Sequence, residues 1–311
     1  MDKLKGNRPH SSWTVRKYLK MEWQLHVMML VPVIALFIFH YLPMGGIVIA
    51  LQNYKPAKGI LGSKWVGFDN FSFLFKQKGF INSIRNTVFI SVWKIVLHIA
   101  IPVTFSVLLN EIGCTFVKRS IQTIIYMPHF VSWVLMAGIL VRIMSMNGIL
   151  NQAIVALGGT PVILLADKNA FPYVIIFSDI YKEFGYGTIV YLAAITGISP
   201  TLYEAATMDG ANHFQKILHV TLPGMTPTII LMSALALGRI LNAGFDQIFN
   251  LYSPIVYATG DIIDTFVYRM AFNSSQFSIS TAANLFKSVI SCVLVVASYR
   301  IAYRTSGYRI F

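Results

Sequence analysis

Residues 203–223 read YEAATMDGANHFQKILHVTLP, a polar and charged insert between two long apolar stretches, 171–196 and 224–252. Ser199-Pro200, just ahead of it, supplies helix-start chemistry, and Thr201 with Glu204 three residues on has the spacing of a capping box. Gly210 stands where a positive φ would end that short helix, and His213 to His219 would begin another turn or two. Ala205 and Ala206 are small enough to let a second surface approach the backbone closely.

Outward from the insert, the chain is strongly apolar. Apolar residues make up 56% of 311 and charged residues 12%, about half the charged share of ordinary soluble domains. The expected fold class is all-α, a polytopic membrane protein. A hydrocarbon core of ~30 Å takes about 20 apolar residues as a helix. Six stretches meet that length: 25–50, 84–109, 121–145, 171–196, 224–252 and 280–303. This divides the chain into an N-terminal tail (1–24), a six-helix domain (25–303) that includes the insert (199–223), and a C-terminal tail (304–311). The loop at 51–83, rich in turn residues and aromatics, is expected to fold against the membrane surface on the outside.

The net charge of +13 fits a basic tail beside a membrane, with Lys3, Lys5, Arg8, Arg16, Lys17 and Lys20 ahead of the first span, rather than a nucleic-acid surface. Lys and Arg number 12 over the tail, the 110–120 turn, the insert and the C-terminus, against 8 on the opposite loops. That margin is narrow, and it is the dense N-terminal cluster, together with the insert, that leads to the expectation of both termini in the cytoplasm. The first apolar stretch is too long for a signal-peptide core and is expected to be retained. Cys114 and Cys292 have neither metal-ligand spacing nor the setting of a disulfide.

Catalytic and nucleotide-binding patterns are missing. Gly59-Ile-Leu-Gly62-Ser-Lys64 has the wrong spacing for a phosphate loop. No nucleophile elbow or zinc pattern occurs, so the chain is not expected to be an enzyme and no metal site is expected. What stands out instead is the set of ionisable residues inside the spans: Lys94, His98, Arg142, Asp179, Lys182, Glu183, Arg239, Asp246 and Lys287. Burying a charge there is costly unless it faces a partner or a wet cavity. Asp179, Lys182 and Glu183 lie within one helical turn, with Tyr181, Phe184 and Tyr186 close by. Such a face suits sugar hydroxyls and ring faces, and it equally suits an internal salt-bridge cluster.

Glu204-Ala205-Ala206, three residues, Gly210, nine residues, Val220, one residue, and Leu222-Pro223 resemble the EAA loop of permease subunits in ATP-binding-cassette importers, with Val220 where the pattern has Ile. Asn70-Phe71, Phe80, Asn86-Thr87, Phe245-Asp246-Gln247 and DTFVYRMAF (264–272) look like carbohydrate-importer permeases of the maltose type. Residues 261–288 look like the branch that takes up complex oligosaccharides. The chain departs from many members at Tyr252-Ser253-Pro254, where they have Gly-Gly-Pro.

The resemblance implies the type I importer permease architecture in the bacterial cytoplasmic membrane. It also implies a second homologous permease, two ATPase subunits carrying ATP and Mg, and an extracytoplasmic binding protein that delivers an oligosaccharide; this chain itself would bind no cofactor. ATPase coupling would fall to Tyr203, Glu204, Ala205, Ala206, Asp209, Gly210, Ala211, Leu222 and Pro223. The substrate path would be lined by Asp179, Tyr181, Lys182, Glu183, Asn242, Phe245, Asp246 and Gln247, with Lys94 from the second span. The basic excess in the spans suggests an acidic, uronate-containing sugar. Two alternatives stay open: a proton-coupled transporter using Asp179 and Glu183, and an importer permease for a substrate other than sugar.

Overall fold

The computed structural model describes residues 23–306, so most of the N-terminal tail and residues 307–311 lie outside the described residues. The structure is almost wholly helical. Among the described residues, four helices are long and apolar enough to cross a membrane, or up to six if each of two bent helix pairs counts as one span.

The first helix, α1 (Trp23–Leu51), relaxes into a π turn at Phe37–Tyr41 and ends in a tight 3-10 turn, Gly45–Leu51. That last turn packs against the final helix. Strands β1 (Gln52–Asn53) and β2 (Lys64–Trp65) then pair antiparallel, followed by the short helix α2 (Asp69–Lys76). Asn70 donates its side-chain amide to the carbonyls of Ala50 (2.8 Å) and Gln52 (2.9 Å), locking the exit of α1 to α2. The 51–83 segment is therefore folded. It is also shorter than expected, because the next helix, α3 (Lys78–Glu111), begins before residue 84. At 34 residues, α3 is about 51 Å long, which is more than a bilayer core requires.

The third apolar stretch is not one straight span. Helix α4 (Thr115–Phe130) meets α5 (Trp133–Ile143) at an angle of 102°. Pro128 lies in a 3-10 turn at the end of α4, and Ser132 restarts the chain as an N-cap whose side chain accepts from Leu135 N. After the short α6 (Ile149–Ala156), α7 (Phe171–Thr196) runs to a 67° bend and continues as α8 (Pro200–Met208). The fifth stretch also differs from expectation. Helix α9 (His213–Leu237) starts eleven residues before 224, inside the insert, passing through a π turn at Ile217–Thr221. It stops at Gly238, and a separate helix, α10 (Phe245–Leu251), starts at Gly244, whose φ of +99° no side-chain-bearing residue adopts easily. Helix α11 (Ile263–Tyr268) and the last helix, α12 (Phe277–Ser306), complete the order.

The main core lies where α3, α5, α7 and α10 meet, around Ile90, Met136, Phe171, Ile175, Ala243 and Ile248. A smaller aromatic core joins Leu74 and Phe80 to Phe266. Asn86 and Thr87, noticed in the sequence only by resemblance, clamp the segment before α11 to α3. Asn86 donates to Asp261 O (3.0 Å) and Ala258 O (3.2 Å), and Ile263 N donates to the Thr87 hydroxyl (2.9 Å). Asn86→Ala leaves two carbonyls unmatched and is expected to destabilise the protein by about 1–3 kcal/mol. Thermal unfolding of the detergent-solubilised protein measures this, and an unchanged midpoint would count against the clamp.

Candidate functional site

Two places in the fold concentrate polar groups: the insert at one end of the bundle and a cavity within it. In the insert, α8 begins at Pro200 with Ser199 in the N-cap position, and the Ser199 hydroxyl bonds that of Thr201 (2.8 Å). The expected capping box from Thr201 to Glu204 is not formed, because Thr201 already lies inside the helix. A capping box does form at the next helix, where Asn212 and Gln215 bond each other's backbone N–H groups (2.9 and 2.7 Å) at the start of α9. Between the two helices Gly210 has φ +78°, and Ala211 N donates back to Ala206 O (2.9 Å), as expected of a left-handed helix end.

Tyr203 ties α8 to α9 through the Thr221 hydroxyl (3.0 Å), and His213 pairs with Glu111 at the end of α3 (2.8 Å). Glu204, Ala205, Asp209 and Pro223 face outward; Ala206, Ala211 and Leu222 are half-buried. Ala206, Asp209, Gly210 and Ala211 border a surface hollow of about 360 Å³ with Gln215 and His219. The sequence reading missed the apolar side chains beside it. Met208 is 87% and Phe214 70% exposed, and Leu202 and Leu218 of the same insert are exposed as well.

The cavity, of about 460 Å³ and open on one side, is lined by Ser91, Lys94, Ile95 and His98 of α3, Asp179 of α7, Met232, Leu235 and Ala236 of α9, and Arg239, Asn242, Ala243 and Gly244 of the break that follows. Asp179 receives Lys94 on one oxygen (3.2 Å) and His98 on the other (2.8 Å). Lys94 also donates to Ala243 O (2.8 Å) and to the Gln247 side-chain oxygen, and Gln247 donates onward to Ile175 O and the Ser178 hydroxyl. Backbone freed by a broken helix in a bilayer has no water to bond and must be satisfied by the protein. Lys94 performs that task for the break after α9.

The three charges that share a turn of α7 do not form one site. Lys182 donates to His129 O (2.8 Å) and to Glu183 (2.7 Å), and the other Glu183 oxygen bonds His129 Nδ1 (2.6 Å). The His129 ring in turn stacks on Tyr186 at 4.0 Å. Lys182 thus caps the carbonyl end of α4 at its sharp bend, where a cation also suits the helix dipole. Asp179 turns toward α3 and the cavity; Lys182 and Glu183 turn toward the bend.

The remaining path candidates also separate. Asn242 lines the cavity and Gln247 is buried beneath it. Tyr181 is 57% exposed, on an apolar groove with Leu140 and Phe177. Phe245 packs with Phe249 and Tyr268, and Asp246 is exposed. The cationic excess read along the spans is largely paired, because Lys287 meets Asp264 (2.5 Å) just as Lys94 and Lys182 meet their carboxylates. Of the five cations, only Arg142 and Arg239 have no carboxylate within ion-pair distance among the described residues.

Residues 110–306 match the family described as the binding-protein-dependent transport system inner membrane component. Protein LplB of Bacillus subtilis (strain 168) is 38% identical over 285 residues, covering 91% of this chain and 90% of its own. The polygalacturonan/rhamnogalacturonan transport system permease protein YteP of the same organism is 37% identical over 279 residues, covering 89% and 87%. Among solved structures, a chain of a bacterial ABC transporter involved in the import of the acidic polysaccharide alginate superposes with a TM-score of 0.87 at 36% identity, covering 94% of this chain and 99% of that one. A chain of the bacterial alginate ABC transporter in complex with an alginate pentasaccharide-bound periplasmic protein gives 0.88 at 35%, covering 95% and 99%.

Proposed function

The chain belongs to the family of binding-protein-dependent transport system inner membrane components, and from that premise we propose that it is the permease subunit of an ATP-driven importer of uronate-containing oligosaccharides. The relatives whose names mention polygalacturonan, rhamnogalacturonan and alginate support the substrate class. The alginate transporter's complex with its periplasmic protein supports delivery by an extracytoplasmic binding protein. ATP and Mg belong on separate ATPase subunits docked at the insert, a second permease completes the path, and both termini lie in the cytoplasm.

One observation carries the coupling role: rigid helices join the insert to two walls of the cavity. From Asp179 to the end of α7 is about 26 Å of continuous helix leading to α8, and from His213 to Met232 is about 29 Å of α9. A displacement of the insert by ATP-driven closure of the ATPase pair is therefore delivered to α7 and α9 together. This opens the cavity to one side of the membrane and then to the other. The chain does no chemistry in this cycle; it converts motion into access.

The proton-coupled alternative is weaker, since Asp179 and Glu183 each bridge a lysine and a histidine and neither is a carboxylate standing free to cycle a proton. Uptake by vesicles holding the complete importer distinguishes the two. ATP inside should drive uptake without a proton gradient, and the pair Glu204→Ala with Gly210→Pro should reduce it to background while the subunits stay assembled. Full uptake by that variant, or uptake driven by a proton gradient alone, would overturn the assignment.

A further inference from the structure

Helix α3 carries five hydroxyl side chains, at Ser83, Thr87, Ser91, Thr104 and Ser106. Four of them donate to a carbonyl three or four residues earlier, the ordinary way a helical hydroxyl is satisfied among apolar neighbours. Ser91 does not. It is 3% exposed, its oxygen has no hydrogen-bond partner, and it lines the cavity. Ser91, Lys94, Ile95 and His98 follow the i, i+3, i+4, i+7 spacing, so one face of α3 is turned toward that space.

The charges around the same space are unevenly matched. Asp179 is occupied by both Lys94 and His98, and Lys94 has two further acceptors. That group balances itself and offers little to an anion. Arg239 lines the opposite wall and is exposed, with no carboxylate within ion-pair distance among the described residues. Asn242 stands one turn along from it, also exposed to the cavity. An unpaired guanidinium, a free hydroxyl and a side-chain amide thus surround one space large enough for a sugar ring.

Resting on the importer assignment above, we propose that Arg239 is the charge-selecting residue of the sugar path: it holds a uronate carboxylate while Ser91 bonds a ring hydroxyl of the same sugar. A guanidinium presents two parallel N–H donors that match the two oxygens of a carboxylate, which a neutral ester or a hydroxymethyl group does not replace. Ser91 reads a hydroxyl common to acidic and neutral sugars, so it adds affinity without discriminating charge.

The test uses the complete importer in liposomes, with trigalacturonate and its fully methyl-esterified form as the probes. Arg239→Gln is expected to lower uptake of the acid about 10- to 100-fold relative to the ester, the range for a lost charged hydrogen bond. Arg239→Lys should recover part of that ratio, and Ser91→Ala should reduce both probes by the same factor. Equal losses of both probes in Arg239→Gln would assign the arginine to packing or to a partner subunit's carboxylate, and no loss would remove it from the path; either overturns the proposal.

Binding of trigalacturonate to the nanodisc-embedded complex, without the binding protein, decides the case in which the ester is never delivered. There Arg239→Gln should raise Kd about tenfold or more, and an unchanged Kd overturns the proposal. A wild-type importer that moves and binds neither probe while hydrolysing ATP overturns the substrate class itself, which is a different failure from an unchanged ratio.

Discussion

Replacing Asp179 by alanine is expected to destabilise the assembled protein by about 3–5 kcal/mol, because it leaves the Lys94 ammonium buried without its counter-charge. Both side chains are largely shielded, 8% and 14% exposed, so solvent screening relieves little of the cost. The effect extends past the pair. Lys94 also holds Ala243 O and Gln247, and Gln247 reaches Ile175 and Ser178 on α7. An unbalanced Lys94 that moves toward water withdraws the anchor of the break between α9 and α10. Lys94→Met is expected to be nearly as harmful, since it strands Asp179 with only His98 and leaves Ala243 O unmatched.

The double variant, Lys94→Met with Asp179→Leu, should be less damaged than the sum of the two single changes. A coupling of about 0.5–3 kcal/mol is the range for residues in one network. Thermal unfolding of the purified complex, read for all four forms, yields that number. Strict additivity would mean that the 3.2 Å contact contributes nothing of its own. Asp179→Asn keeps hydrogen-bonding groups toward both Lys94 and His98, so its loss should fall between wild type and alanine.

This network also marks where the sequence stops being legible. The fold class and the helix signals of the insert were readable, because each depends on local composition: apolar length, a proline at a helix start, a glycine at a helix end. Gly210 is the clear case, since only its own φ of +78° was needed to place the end of α8. The breaks in the third and fifth stretches were not readable. Nothing in the local hydropathy of 121–145 or 224–252 distinguishes a straight span from one bent by 102° or one interrupted at Gly238 to Gly244. Those bends depend on Lys182 and Lys94, each far away in sequence, reaching across to satisfy carbonyls that the bends expose.

For the same reason the spacing on α7 gave the internal pairing only in part: Lys182 and Glu183 do pair, and Asp179 leaves them for another helix. Helical spacing put Asp179, Lys182 and Glu183 on one turn, but their partners come from two different directions, α3 and the end of α4. Spacing along one helix reports proximity, whereas partner choice depends on where other helices pass. Ser91 was unreadable on similar grounds. A serine inside an apolar run ordinarily bonds its own helix, and only the absence of that bond singles it out.

The insert leads to the second large effect. Met208→Asp combined with Phe214→Asp is expected to abolish docking of the ATPase subunits while leaving the permease folded. Both side chains are mostly exposed, at 87% and 70%, so neither contributes to the core and the bundle should keep its unfolding midpoint. On the docking reading proposed above, an ATPase subunit seated on the insert covers Met208 and Phe214. Residues that anchor such an interface typically cost about 2–4 kcal/mol each when truncated. Two of them together correspond to a loss of about 10³-fold or more in affinity, and burying two new carboxylates adds to that.

Glu204→Ala alone, by contrast, removes a polar contact at the same face and should weaken docking less. Co-purification of the ATPase subunits with tagged permease, followed by titration of the separated partners, measures both variants. Retained docking in the double aspartate variant would place the interface elsewhere on the insert. The hollow around Asp209 and His219 would then be the contact that transmits ATP-driven motion into α7 and α9.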